Sequence, residues 1–89
     1  MAGEGDNAVE RLREELTRVD ERILQAVNVR LELVAELKRV KEAKGIGFLD
    51  PGREEWLVAH LAASNPGPLS EQGVRALWTE LLALTKREL

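Results

Sequence analysis

The feature that most constrains this chain is a long helical segment over residues 8 to 44. No glycine or proline interrupts it, and its apolar residues recur in alternating steps of three and four. That spacing is typical of a helix with a coiled-coil-like period. A helix of about 36 residues would be about 54 Å long, far above the mean for globular proteins. The apolar stripe comprises Val9, Leu12, Leu16, Val19, Ile23, Ala26 or Val27, Leu33 or Val34, Leu37 and Val40.

Two shorter helices are predicted after it. Gly45 and Gly47 end the first helix, and Asp50 can cap a second that begins at Pro51 and continues to about residue 63. The segment "SNPGP" then breaks the chain, and Ser70 can cap a third helix that runs to about the C-terminus. The pattern therefore predicts an all-α fold, with residues 1–7 as a disordered tail and residues 8–89 as one helical domain.

The long apolar stripe also predicts self-association. The two short helices together hold about as many residues as the long one, so they cannot cover its stripe on every side. A large uncovered apolar surface usually marks an interface. We therefore expect an intertwined two-fold homodimer in which two long helices pair.

Composition excludes several classes of protein. The chain has 89 residues and no cysteine, which predicts one domain with neither disulfides nor a thiolate metal site. A net charge of -3, one phenylalanine and no tyrosine argue against a nucleic-acid surface. No apolar run is long enough to span a membrane, and the start "MAGEGDNA" is unlike a signal peptide. We expect a cytoplasmic protein with no nucleic-acid or membrane partner.

Three cations on the first helix stand out from the many charges that solvated helix faces explain. Arg30 falls where the stripe needs an apolar residue, and a charge on a buried seam is costly unless something pairs with it. Lys41 is eleven residues further on, which brings it back to within about 20° of Arg30 around an ideal helix. Arg13 lies about 100° away from that direction in its own chain. In a dimer, however, it can reach the site of the partner subunit, so we expect three partly buried cations there.

These cations predict an anionic ligand. Like charges placed together repel one another unless an anion neutralises them, and the arginine fork suits a carboxylate. We interpret the cluster as a site for a small polyanion, in particular a dicarboxylate. The start of the second helix adds Arg53 as a further cation and Glu54 as an acceptor for a hydroxyl or an amine. Asp50 acts there as cap, as ligand contact or as both, so this turn would close over the site. His60, the only histidine, has no metal-spaced ligands near it in the sequence, and no metal is expected.

The segment "LREELTRVDERIL", then Arg30 with the apolar-rich turn after it, Lys41 and "DPGRE" resemble the all-helical class of chorismate mutases. The three-helix plan and the "NPGP" break are also similar to that family. The likeness is greatest to domains fused to or associated with 3-deoxy-arabino-heptulosonate-7-phosphate synthase, the first enzyme of the shikimate pathway. The resemblance covers about residues 10 to 88, nearly the whole chain. Because the similar domains are fused to or associated with the synthase, a synthase partner or fusion is also expected.

The resemblance implies a reaction and a role for each cation. Chorismate would rearrange to prephenate, in phenylalanine and tyrosine biosynthesis, through a chair-like pericyclic transition state with no covalent intermediate and no cofactor. Arg30, with Arg13 contributed by the partner subunit, would grip the substrate carboxylates. Lys41 would hydrogen-bond the ether oxygen as its bond breaks.

The resemblance also implies roles at the start of the second helix. Glu54 would hold the ring hydroxyl, with Asp50 near it. Arg53 would add a positive field near the carboxylates.

One departure from the family pattern lies at the end of the third helix. Matching its stripe to the family places Thr85 at a Ser/Thr position and Leu89 where the family has Gln or Glu, the second group at the ether oxygen. The side chain of Leu89 cannot form a hydrogen bond. Glu88 is adjacent but points about 100° away unless the last turn frays. Thr85 and Glu88 are counted as substrate contacts on this basis. Either Glu88 serves through a local shift, or a partner protein completes a weak enzyme, or the substrate or reaction differs.

Two other readings therefore stay open at this point. One is an enzyme of the same fold acting on a related substrate, either an aminodeoxychorismate mutase or an isochorismate-pyruvate lyase. The other is a non-catalytic module that binds chorismate or prephenate for regulation, or that only dimerises.

Substitution of Arg30 by Leu separates a binding site from a plain dimerisation helix. If the helix only dimerises, Arg30→Leu should raise the free energy of unfolding and change nothing else, because it restores the apolar stripe. If Arg30 belongs to a site, the variant should lose its ligand. Thermal unfolding and equilibrium binding of chorismate measure the two effects. A stabilised variant that binds chorismate as before would contradict the site.

Overall fold

The computed structural model describes residues 2–89, with side chains from residue 7 onwards. It contains three helices, α1 (Ala2–Ala43), α2 (Pro51–Ser64) and α3 (Glu71–Glu88), and no strand within that range. The predicted all-α class is confirmed, and α2 and α3 end within about a residue of their predicted limits. The first helix begins at Ala2, six residues before its predicted start, and so includes residues 2–7 of the segment predicted as a tail. The division into a tail and one helical domain stays a prediction.

The C-terminus of α1 is closed by a glycine in the left-handed conformation. Gly45 has a φ of 69°, which costs a residue with a Cβ atom more than it costs glycine. The N–H of Ile46 donates to the carbonyl oxygen of Lys41 at 2.8 Å, and the N–H of Gly45 donates to that of Glu42 at 3.1 Å. These two bonds form a Schellman motif, which satisfies carbonyls that the helix itself leaves unpaired. Gly45 therefore ends α1 just beyond Lys41 and sets the direction in which the chain leaves it.

The two short helices begin at the predicted caps. The Oδ1 atom of Asp50 accepts a hydrogen bond from the N–H of Arg53 at 3.0 Å, and Pro51 occupies the first turn of α2. The Oγ atom of Ser70 accepts from the N–H of Gly73 at 3.0 Å at the start of α3. Each cap supplies an acceptor to an N–H group that has no partner inside its helix.

The chain divides into two compact units, one ending at Leu33 and one comprising Val34–Leu89. In the second unit α2 packs against α3. The buried residues of α3 are Val74, at 3% exposure, and Thr85, at 7%. The apolar stripes that the sequence predicts on the two helices are otherwise half-buried, apart from Leu77, which is exposed; they comprise Leu57, Val58, Leu61 and Ala62 on α2, and Val74, Leu77, Trp78, Leu81, Leu82 and Leu84 on α3.

The apolar stripe of the first unit is open to solvent in the single chain. Its residues are between 44% and 61% exposed, and they are Val9, Leu12, Leu16, Val19, Ile23 and Leu33. Large apolar side chains in a continuous row of this kind mark a surface that binds another apolar surface.

None of the three helices over residues 2–89 has the length and apolar character that a membrane span needs.

The cap of α3 gives a stability prediction with a matched control. Ser70→Ala should lower the free energy of unfolding by about 1 kcal/mol, because the N–H of Gly73 loses its acceptor. Ser64→Ala removes the same hydroxyl at the end of α2, where it only donates to the carbonyl oxygen of His60 at 2.8 Å. That bond adds little to helix stability, so this variant should stay near the parent value. Urea unfolding at one protein concentration measures both changes, and equal losses in the two variants would contradict the cap.

Candidate active site

The two arginines predicted on α1 differ in their surroundings. The side chain of Arg13 is 71% exposed, and its Nη1 atom forms an ion pair with Oε1 of Glu10 at 3.0 Å. Arg13 is therefore exposed in the single chain, and its burial in a dimer stays a prediction. Arg30 is half-buried, as expected for a cation that interrupts an apolar stripe.

Lys41 lies in the last turn of α1 and is tied to the loop that follows it. The side chain is half-buried, and its Nζ atom donates to the carbonyl oxygen of Phe48 at 3.3 Å. Its own carbonyl accepts from Ile46, as described above. The loop after α1 is thus bonded to both the backbone and the side chain of Lys41, which limits the positions the ammonium group can adopt. A cation held in place in this way needs little rearrangement to meet a developing negative charge.

The start of α2 holds Arg53 against an aromatic ring. The guanidinium carbon of Arg53 lies 4.0 Å from the ring centroid of Trp56, a cation–π distance. Trp56 stacks in turn on His60, with 4.7 Å between centroids and planes 7° apart. The carboxylate of Asp50 is the cap of this helix, so at least that one of its two expected roles is confirmed.

Glu54 faces a cavity between α2 and α3. Both of its carboxylate oxygens are near Nζ of Lys86, with Oε1 at 3.1 Å and Oε2 at 3.3 Å. The cavity has a volume of about 500 Å³. Its lining consists of Pro51, Glu54, Glu55, Val58, Arg75, Thr79, Leu82, Ala83 and Lys86. A mixed lining of apolar and charged groups suits a small polar organic molecule.

The end of α3 presents fewer polar groups than the family pattern implies. Thr85 is buried, and its Oγ1 atom donates to the carbonyl oxygen of Leu81 at 2.7 Å. Glu88 is exposed at the last position of the helix. The N–H of Leu89 donates to the carbonyl oxygen of Thr85 at 3.1 Å, and its carbonyl accepts from Nζ of Lys38 at 3.2 Å. The last turn is therefore helical and bonded, so Glu88 keeps the direction that its helical position gives it.

Within the second unit, direct hydrogen bonds join Asp50 to Arg53 and Glu54 to Lys86. Neither Lys41 nor Glu88 forms a hydrogen bond or ion pair with these four residues in the described structure. The contacts of Lys41, of Asp50 with Arg53 and of Glu54 with Lys86 are thus separate from one another.

Two lysines near the site were not identified from the sequence. Lys86 reaches Glu54 across 32 residues of sequence, and Lys38 reaches Leu89 across 51. Lys38 also lies over the ring of Phe48, with Nζ 5.6 Å from the centroid. No local spacing indicates contacts this far apart in the chain. Only the packing of the helices brings these groups together.

Comparison with known proteins identifies relatives over most of the chain. The sequence profile of the family described as chorismate mutase type II matches residues 12–88. A bifunctional chorismate mutase/prephenate dehydratase of Stutzerimonas stutzeri is 32% identical over 77 residues, which are 81% of this chain and 21% of that protein. The protein of the same name from Pseudomonas aeruginosa is 30% identical over the same shares. The chain thus spans about a fifth of the length of these curated relatives.

Solved structures agree with the sequence relatives. The chorismate mutase of Thermus thermophilus, in its form I structure, is 36% identical with a TM-score of 0.84, over 86% of this chain and 96% of that one. The form II structure has a TM-score of 0.85 at 35% identity, over 89% and 90%. The resemblance to chorismate mutases noted in the sequence is therefore confirmed by family profile, sequence and structure together, and the particular likeness to synthase-associated domains stays a prediction. The chain belongs to the chorismate mutase type II family.

Proposed function

We propose that this chain is a chorismate mutase, an isomerase that converts chorismate to prephenate. The observation that carries the proposal is the family match over residues 12–88, which includes every residue of the candidate site. The first of those residues is Arg13 and the last is Glu88. The physical reading of the same residues, a site for a dicarboxylate with a further polar group, is compatible with chorismate as the substrate.

Substrate binding would rest on charge complementarity. Chorismate carries two carboxylates, a ring hydroxyl and an ether oxygen. Arg30, with Arg13 of the partner subunit, would bind the carboxylates through paired hydrogen bonds. Glu54 would accept a hydrogen bond from the ring hydroxyl, near Asp50. Arg53, held by the ring of Trp56, would add positive charge from the start of α2.

Catalysis would need neither a nucleophile nor a base. In the rearrangement one carbon–oxygen bond breaks while one carbon–carbon bond forms, so the product is an isomer and no proton is exchanged. The chain can accelerate such a step in two ways. It can hold the substrate in the folded, chair-like shape, and it can place a cation at the ether oxygen where negative charge develops. Lys41 is the residue proposed for the ether oxygen, because two hydrogen bonds to the loop after α1 restrain its position. Its Nζ atom donates to the carbonyl oxygen of Phe48, and its carbonyl oxygen accepts from the N–H of Ile46.

The active form would be an intertwined two-fold dimer. The support is the row of apolar side chains on the first unit, which are about half exposed in a single chain. Pairing with a second copy removes them from water. It would also bring Arg13 of one subunit to the site of the other, where its present partner is only the neighbouring Glu10.

Light scattering with a matched pair of variants tests the dimer. The parent chain should show twice the 9.9 kDa mass of one chain. Ile23→Glu should give a monomer, because it places a charge on the stripe. Leu24→Glu adds the same charge at the neighbouring position, which is equally open at 63% exposure but outside the stripe, and should stay dimeric. A monomeric parent chain would rule out a site shared between subunits.

Further associations and location are also proposals. The curated relatives carry their chorismate mutase name together with a second activity in one longer chain. A fusion or association of this chain with another enzyme, such as a synthase of the shikimate pathway, follows the same pattern. The cytoplasmic location expected from the sequence stays a prediction.

The decisive experiment is turnover of chorismate by the purified chain. Loss of chorismate absorbance with formation of prephenate, separated by chromatography, is the expected result. Arg30→Ala should lower kcat/KM by about a hundredfold or more, because a carboxylate contact and its positioning are lost. Arg22→Ala, an exposed arginine of the same unit with no ion pair among the described residues, should leave kcat/KM nearly unchanged. Absence of turnover in the parent chain, alone and with a synthase added, would contradict the proposal.

A further inference from the structure

The ion pair between Glu54 and Lys86 differs from the other ion pairs of the described residues. The pairs Arg13–Glu10 and Arg75–Glu71 join neighbouring turns of one helix, at spacings of three and four residues. The Glu54–Lys86 pair joins two helices, and the ammonium group lies within hydrogen-bond distance of both carboxylate oxygens. Lys86 therefore determines both the orientation of the Glu54 carboxylate and the net charge beside it.

The other charged groups of the same cavity do not replace Lys86. The cavity wall carries two carboxylates, Glu54 and Glu55, and two cations, Arg75 and Lys86. Arg75 already donates two hydrogen bonds to Oε1 of Glu71, from Nη2 at 3.2 Å and from Nε at 3.4 Å. Without Lys86, the Glu54 carboxylate would face the cavity with no cation bonded to it, and the wall would carry a net negative charge.

We propose that Lys86 is a specificity-determining residue that makes the site prefer a hydroxyl over an ammonium group at the ring position held by Glu54. This inference rests on the proposed function, in which Glu54 binds the ring hydroxyl of chorismate. An unpaired carboxylate is a strong counter-ion for a substrate ammonium group. With Lys86 against both oxygens, an incoming ammonium meets a second cation at the same place, and that repulsion disfavours it.

A hydroxyl group does not meet this obstacle. A carboxylate has about four lone-pair directions, and one ammonium group fills at most two of them here. A neutral O–H group can therefore donate to Glu54 while Lys86 stays in place, and it carries no charge for Lys86 to repel. The arrangement resolves the ambiguity left by the sequence, since a lone glutamate accepts equally from a hydroxyl or an amine.

The exposure of the pair makes the inference testable by substitution. The side chains of Glu54 and Lys86 are 31% and 47% exposed. Ion pairs this accessible contribute little to stability, so Lys86→Met is expected to fold. Any change in substrate preference can then be assigned to the charge at Glu54.

The experiment measures competition between two substrates that differ only at this ring position. Chorismate turnover gives KM and kcat, and 4-amino-4-deoxychorismate is added as a competitor to give its Ki, at low ionic strength so that charges are weakly screened. The measured quantity is the ratio of Ki for the amine to KM for chorismate. Lys86→Met should lower this ratio about fivefold. Lys86→Arg keeps the charge and should keep the parent ratio.

Two controls distinguish action through Glu54 from a general effect of charge. Arg87→Met removes a neighbouring cation of α3 that forms no ion pair within the described structure, and it should leave the ratio unchanged. In a Glu54→Gln background, Lys86→Met should no longer lower the ratio, because the carboxylate it neutralises is absent.

The outcomes separate this inference from the function on which it rests. A parent enzyme that turns over chorismate while the ratio is the same in Lys86→Met would overturn the role of Lys86 alone. An equal fall in Arg87→Met, or failure of the amine to compete in any variant, would do the same. Failure of the parent chain to turn over chorismate would overturn the proposed function itself.

Discussion

The structure depends on a helix whose apolar stripe is longer than the rest of the chain can cover. Side chains from Val9 to Leu33 along this stripe are about half exposed or more, while the buried core of the second unit consists of only Val74 and Thr85. Burial of apolar area is the main favourable term in folding, so a chain that leaves this much open is far from its most stable arrangement alone. Association with a second copy would supply the missing burial, and this need connects the proposed dimer to the stability of the fold.

The same helix carries both the apolar stripe and two cations of the candidate site. Arg30 is half-buried within the stripe, where a leucine would pack at lower cost. Lys41 lies at the other end of the segment, where the Schellman turn at Gly45 and the bond to Phe48 hold it. Residues that are unfavourable for packing are expected where a ligand supplies the compensating interaction. In the proposed enzyme that ligand would be a dicarboxylate, and the cations would stabilise its transition state without any proton transfer.

The contacts of α2 and α3 show how a site with few polar groups can still be selective. The third helix has Leu89 where the family has a side chain that forms hydrogen bonds, and Thr85 directs its hydroxyl to Leu81. Lys86, one position after Thr85, instead reaches Glu54 and neutralises it. In this proposal the end of α3 affects the substrate through Lys86, which pairs with the carboxylate of Glu54. That arrangement sets which charge the site accepts at one position of the substrate.

Local chemistry in the sequence determined where α1 ends and where α2 and α3 begin. Gly45, the Asp50–Pro51 pair and Ser70 act on residues within one turn of themselves, so their effects follow from the sequence without knowledge of the fold. The family pattern likewise predicts Arg30, Lys41 and Glu54 as site residues, and their roles stay predictions. The exposure of Arg13 and the pairing of Glu54 with Lys86 were decided only by the tertiary structure. The exposure of Arg13 depends on whether any element covers its face of α1. The pairing of Glu54 with Lys86 joins residues 32 positions apart and depends on the packing of α2 on α3. The spacing of residues along one helix predicts which side chains share a face of that helix. It does not predict which side chains of other helices they contact, because that depends on how the helices pack.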